Sequence, residues 1–269
     1  MDELREVVAG PGRFSLLERG SGPAVALLHG IGSGAPSWRT VLEQLGGDCR
    51  GVAWDAPGYG RSTRLEALAP DPSDYACALR HLLDALRIER VHVVGHSLGA
   101  VIGARLALEA PDRVASLTLA SPAGGHARLP EAERARLREG RLQAMARLGP
   151  AGMARDRGPH LLGPGATDGM RDAVIDTMSR LEPAGFGQAV RMLSIADTRG
   201  DVAKLPTSLP VQFIHGDRDT VTPPQGVRDI ASERPEAPVH LLQGAGHACY
   251  IEQPQAFARL LAGFTRAHP

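Results

Sequence analysis

The stretch Val91-His92-Val93-Val94-Gly95-His96-Ser97-Leu98-Gly99-Ala100 decides how the rest of the chain is read. Val91 to Val94 is an apolar, β-branched run of the kind that forms a buried strand. It passes through a glycine-x-serine-x-glycine turn into an amphipathic helical pattern from Leu98 to Glu109. So abrupt a change of period calls for a sharp turn in which only small residues fit at Gly95 and Gly99. Such a turn lifts the Ser97 side chain beyond the sheet edge and places the amides of a helix N-terminus beside it.

Short apolar runs bounded by glycine or proline recur on either side: Val25 to Leu28, Val52 to Trp54, Val114 to Leu119, Val211 to Ile214 and Val239 to Leu242. Helical patterns lie between them, at Ser37 to Leu45 and Ser73 to Leu86, and a last one runs from about Pro254 to Arg266. Leu4 to Val8 and Phe14 to Glu18, separated by Gly10-Pro11-Gly12, read as an antiparallel hairpin at one edge. Alternating strand and helix with continuously apolar strands predicts an α/β fold: a mostly parallel, eight-stranded sheet with helices on both faces.

The alternation breaks between Ala123 and Pro206, where the pattern is helical only. One helix starts near Glu131, the Gly158 to Gly169 stretch interrupts it, another spans Met170 to Leu181, and a third runs to Ile195. The expected organisation is a core of residues 1–122 and 207–269 with a helical lid, residues 123–206, inserted after the sixth strand. Every methionine except Met1 falls in that insertion (Met145, Met153, Met170, Met178 and Met192), which suits either an adaptable apolar pocket lining or ordinary packing of the lid. Arg134, Arg136, Arg138, Arg141 and Arg147 alternate with Glu131, Glu133 and Glu139, the composition of a solvated helix face, from which one arginine could reach inward to a substrate carboxylate.

Composition narrows the partners. Thirty basic and 30 acidic residues in a chain of 269 leave no net field to attract nucleic acid or an anionic membrane. No apolar run approaches the length of a membrane span, and the N-terminus lacks a basic region followed by an apolar core, so a cytoplasmic location is expected. Cys49, Cys77 and Cys249 are odd in number and widely spaced, which argues against a disulfide framework and a zinc site. The ten histidines show no H-E-x-x-H spacing, and no phosphate loop follows a strand. No metal and no cofactor are implied, and a monomer or homodimer is expected.

A serine hydroxyl attacks carbonyl carbon at neutral pH only with a neighbouring base, itself oriented by a carboxylate. Two later loops supply these groups, each directly after a predicted strand. His215-Gly216-Asp217-Arg218-Asp219 follows Val211 to Ile214, and Gln243-Gly244-Ala245-Gly246-His247 follows Val239 to Leu242.

The order serine, acid, histidine resembles that of the α/β-hydrolase fold superfamily. Leu28-His29-Gly30-Ile31-Gly32 looks like that family's oxyanion loop, and Asp55-Ala56-Pro57-Gly58-Tyr59-Gly60-Arg61-Ser62 like its D-x-P-G-x-G-x-S turn. Gly246-His247 with Glu252-Gln253-Pro254 is similar to its terminal segment. The resemblance implies Ser97 as nucleophile, His247 as base and Asp219, at the second position of G-D-x-D, as the orienting acid. It also implies an oxyanion hole from the backbone amides of Ile31 and Leu98, with His29, Gly30 and Gly32 supporting the loop. The activity it implies is cleavage of a carboxylic ester or lactone of a small, largely apolar substrate through an acyl-enzyme. A carbon–carbon bond hydrolase acting on ring-fission products would use the same triad, although such relatives commonly show H-G-x-G-P-G and a tryptophan after the histidine. A cofactor-free perhydrolase would use the same serine centre. A hydrolase-like ligand receptor with slow turnover is the reading from a different class. Dehalogenases and epoxide hydrolases of this fold need an aspartate where Ser97 stands.

Overall fold

A computed structural model describes residues 4–47 and 49–269. Met1 to Glu3, on which part of the leader expectation rests, lie outside the described residues. The described strands are β1 (Arg5–Ala9), β2 (Gly12–Arg19), β3 (Ala24–Leu28), β4 (Arg50–Trp54), β5 (Val91–His96), β6 (Val114–Ala120), β7 (Val211–Gly216) and β8 (Val239–Leu242). They form one sheet in the order β1-β2-β4-β3-β5-β6-β7-β8. The β1–β2 hairpin is antiparallel and joins β4 antiparallel, and all remaining pairs are parallel. Parallel strands place the carboxyl ends of β3, β5, β7 and β8 along one rim, which is where side chains from four distant parts of the sequence can meet.

The period of two along each strand feeds two cores. Val25, Leu27 and Val94 face the side covered by α1 (Arg39–Leu45) and, from the C-terminal end of the chain, the helix Pro254–Ala267, with Leu42 and Phe257 in the same cluster. Ala26, Leu28, Val93 and Leu117 face the opposite side, against α2 (Pro72–Ala85) and α3 (Leu98–Glu109). The start of α2 is well specified: Asp71 caps the amides of Ser73 and Asp74, Asp74 reciprocates, and Pro72 occupies the first turn. Helix α3 departs from the amphipathic expectation. It is buried on nearly every side, because the sheet lies under it while α2 and the short helix Thr198–Ala203 flank it.

Four helices separate β6 from β7: α4 (Glu131–Arg157), α5 (Asp168–Ser179), α6 (Pro183–Ile195) and α7 (Thr198–Ala203). Helix α4 is kinked at Gly149, whose φ of 63° places it outside helical geometry just before Pro150. After β7 comes α8 (Pro224–Ala231), which periodicity did not signal. It has only eight residues and buries Val227, Ile230 and Ala231. The chain closes with α9 (Cys249–Glu252) and α10 (Pro254–Ala267). Strand β8 is the sheet edge, and its Val239 and Leu241 are 44% and 50% exposed, so one of its faces lacks the helical cover expected of an apolar run. No helix among the described residues is long and apolar enough to cross a membrane.

Candidate active site

Ser97 follows β5 and caps α3 with φ 52° and ψ −109°, a region that non-glycine residues rarely occupy. Such a conformation costs roughly 1–3 kcal/mol and persists only where the surroundings impose it. They do so by close backbone packing: a side chain on Gly95 would strike the Gly99 carbonyl, and one on Gly99 would strike the carbonyl of Leu28. The Ser97 amide donates to Ala120 O (3.0 Å), while its carbonyl accepts from Ala100 and Ala123 (3.1 and 3.3 Å). The backbone is thus fully tied, leaving the hydroxyl to face a cavity of about 1050 Å³.

His247 lines the same cavity. Its Nδ1 donates to Asp219 Oδ2 at 2.8 Å, and both side chains are almost fully buried. Asp219 also accepts from the amides of Val221 and Thr222 on Oδ1 (2.8 and 2.9 Å) and from the Thr222 hydroxyl on Oδ2 (2.8 Å). Burial alone would raise the acid's pKa. The hydrogen bond and charge of His247, with the two Thr222 donors, outweigh it and hold the carboxyl well below its ordinary range. Asp219 is therefore ionised and accepts the hydrogen bond of Nδ1–H, and in the neutral imidazole this leaves the other ring nitrogen of His247 as an acceptor. Asp217 plays a different part, accepting the Gly244 amide at 2.6 Å and so clipping the loop after β7 to the turn after β8.

The loop after β3 runs against the serine turn. A Cβ on Gly30 would lie 2.9 Å from His96 Nδ1 and 3.3 Å from the Ser97 Cβ, so only glycine allows the backbone of residues 30–32 to come this near. Gly30, Ile31 and Gly32 all line the cavity. Leu98 is the first residue of α3, and its amide is among those a helix leaves without an internal partner. His29 fastens the loop from behind: Nδ1 donates to Gly30 O (2.8 Å), and Nε2 accepts the Ala56 amide (3.0 Å). Burial lowers its pKa, in keeping with that neutral form. Asp55 accepts from the Ala35 amide (2.7 Å) and the Ser15 hydroxyl (2.6 Å), binding loops together outside the cavity.

The partners in three contacts escaped sequence reasoning. Thr222, beyond its bond to Asp219, lies 3.2 Å from His247 Nδ1, and a threonine three residues after an acid gave no signal of this. His96 donates from Nε2 to the carbonyl of His247 (2.9 Å), so the residue before the serine holds the backbone of the histidine. Burial, then the neighbouring His247, lowers the His96 pKa to about 3, which keeps the ring neutral. The third is a brace between the histidine loop and the segment after α4. Glu252 accepts the Gly246 amide (2.7 Å) on one oxygen and the Gly163 amide (2.8 Å) on the other, and Ala248 N–H donates to Leu161 O (2.8 Å). Cys249 is buried, and burial pushes its thiol up to about 12, which makes it chemically idle at neutral pH.

The far side of the cavity is formed by the helices between β6 and β7. Met153, Val174, Met178, Leu181, Phe186 and Leu193 supply apolar surface. Met178 rests on the loop at Gly32, where an added Cβ would lie 2.6 Å from its methyl carbon. Met145 and Met192 are packed inside the helical layer instead, so the methionines divide between lining and packing. Among the described residues no cluster of histidine, cysteine and acidic side chains is arranged to hold a metal ion.

Residues 23–254 match the family model of the alpha/beta hydrolase fold. The chain belongs to that family. It is 30% identical to a putative carbamate hydrolase, RutD, of Pseudomonas syringae, over 95% of this chain and 98% of that protein. It is equally 30% identical to a pimeloyl-[acyl-carrier protein] methyl ester esterase of Chromobacterium violaceum, over 90% and 94% of the two chains. The crystal structure of a hydrolase from Pseudomonas aeruginosa superposes with a TM-score of 0.85 at 25% identity, covering 97% of this chain and 98% of that one. The fold expected from the alternation of strands and helices is thus the family's own, with the eight-stranded sheet at its centre.

Proposed function

We propose that this α/β-hydrolase cleaves a carboxylic ester or lactone of a small, largely apolar substrate through an acyl-enzyme formed on Ser97. The observation that carries the proposal is the 2.8 Å bond from His247 Nδ1 to the ionised Asp219, in a cavity that Ser97 also lines. With Nδ1–H committed to Asp219, Nε2 takes the proton from the Ser97 hydroxyl as its oxygen bonds to the acyl carbon. The carbonyl oxygen gains the negative charge, which the amides of Ile31 and Leu98 stabilise; each such donor is worth about 3 kcal/mol in the transition state. The tetrahedral adduct collapses, and the leaving alkoxide takes the proton from His247. Water then repeats the sequence: His247 accepts its proton, hydroxide adds to the acyl carbon, and the acid departs as the proton returns to Ser97. In a lactone the leaving alcohol stays tethered to the acid.

Residues 123–206 act in this scheme as a lid over the rim, and residues 1–122 and 207–269 as the catalytic core. Relatives whose names point to an ester and to a carbamate support acyl-group chemistry without fixing the substrate. The test combines labelling and turnover. A fluorophosphonate probe should modify wild type but not Ser97→Ala, and wild type should turn over p-nitrophenyl butyrate continuously. Labelling followed by a single burst without turnover would instead indicate a ligand receptor. Absence of both labelling and turnover would refute the serine mechanism.

A further inference from the structure

The arginines of α4 do not share one environment. Arg134 pairs with Glu131, Arg136 with Glu133 at 4.0 Å and Arg138 with Glu139 at 3.3 Å, all on the helix's own surface. Arg147 is exposed. Arg141 alone of the five lines the cavity that holds Ser97 and His247, and no described residue forms a hydrogen bond or ion pair with it. The acids of the lining are engaged elsewhere: Asp176 binds Arg180 at 2.7 and 2.8 Å, and Asp156 lies 3.8 Å from Arg157. The charged and titratable neighbours of Arg141 are Arg157 and His126, both in the cavity lining, and the buried Nδ1 of His126 has no partner among the described residues.

A guanidinium withdrawn from water without a carboxylate is costly, and a protein tolerates it where a ligand completes the pair. Burial and the like charge of Arg157 both lower the pKa of Arg141, so the protein itself supplies no counter-charge there. We infer that Arg141 is the docking point for a free carboxylate on the substrate, a second functional group separate from the acyl carbon that Ser97 attacks. This rests on the proposed esterase chemistry and narrows it. The substrate is a hemiester, or a lactone bearing an acid, whose apolar middle lies along the methionine and phenylalanine wall. Burial and then Arg141 lower the pKa of His126 against the opposing charge of Glu133, and its Nδ1 is free to donate to the same anion when it carries the ring proton.

The test compares mono-p-nitrophenyl glutarate with p-nitrophenyl pentanoate, which match in chain length and differ in the terminal carboxylate. A charged, bidentate contact favours the anionic ester by about tenfold to a hundredfold in kcat/KM. Arg141→Gln should bring that ratio to near parity, and Arg141→Lys should keep an intermediate value, since it retains charge without the planar fork. A wild-type preference for the pentanoyl ester, or a ratio untouched in Arg141→Gln, would overturn the inference. A second arm needs no turnover: calorimetry of monomethyl glutarate and dimethyl glutarate binding to Ser97→Ala, with and without Arg141→Gln. The hemiester should bind at least about tenfold tighter, and only with Arg141 present. If neither p-nitrophenyl ester is hydrolysed, the serine mechanism fails and this arm alone decides the carboxylate site. Equal affinity for the two methyl esters would then reject the site.

Discussion

Replacing Asp219 by asparagine changes one atom and should remove nearly all activity. The amides of Val221 and Thr222 both point at Oδ1, so the new amide oxygen stays there and the NH2 group is forced into the Oδ2 position. That position faces His247 Nδ1 at 2.8 Å. Two donors cannot bond each other, so the imidazole must give up its Nδ1 proton and carry it on Nε2, where it can no longer accept from Ser97. The Thr222 hydroxyl can turn to Ser121 O, 3.2 Å away, and the fold survives. The variant also loses the attraction between carboxylate and imidazolium. At charge separations of about 3.5–4 Å and an effective dielectric of about 20, that is worth about 4–5 kcal/mol. It corresponds to about a thousandfold to several thousandfold in rate, near the roughly ten-thousandfold loss seen for the same change in a serine protease. The assay is kcat/KM for p-nitrophenyl butyrate with circular dichroism to confirm folding, and Asp217→Asn as control, expected within about threefold of wild type because its oxygen only clips a turn. An Asp219→Asn enzyme retaining more than about a tenth of wild-type activity, or an equal loss in Asp217→Asn, would refute this assignment of the acid.

Two other outcomes follow from backbone strain and buried rings. Ser97→Gly should abolish turnover yet raise stability by about 1 kcal/mol, or about 2–4 °C in Tm, because glycine occupies φ 52°, ψ −109° without strain; a lower Tm in calorimetry would contradict it. His96 and His92 are buried with pKa values lowered to about 3 and about 4, so the unfolded chain binds protons that the folded protein does not. Stability is therefore greatest above the unfolded value of about 6.5 and falls as pH drops towards the folded values, with His96 contributing up to about 1.4 kcal/mol per pH unit. Urea midpoints measured between about pH 7 and pH 5 should show this slope, reduced in His96→Gln. Equal slopes in the two proteins would count against it.

The sheet was legible because most of its strands are short apolar runs bounded by glycine or proline, and the serine turn because a change of period leaves a local trace. Edge and layer position left none. The exposure of Val239 and Leu241 at the sheet margin depends on β8 having no further neighbour, which no window of sequence contains. Helix α3 is buried on nearly every side for the same reason: part of its cover comes from α7, which follows it only after α4, α5 and α6. In the candidate site, motif order suggested Ser97, Asp219 and His247, whereas Thr222, the carbonyl partner of His96 and the inward arginine are products of packing. Five arginines share one helical pattern, and only three-dimensional placement separates Arg141 from the rest.

The double grip of Glu252 has a practical corollary for chimeras. One carboxylate spans from Gly163, in the segment between β6 and β7, to Gly246, beside the histidine, and Ala248 adds a third stitch to Leu161. Transplanting residues 123–206 alone into a relative would sever all three and leave two amides and an acid facing each other unmatched. An exchange that keeps these bonds has to carry residues 244–252 along with the graft, so the unit that can be engineered as a module is discontinuous and includes the loop of His247 itself.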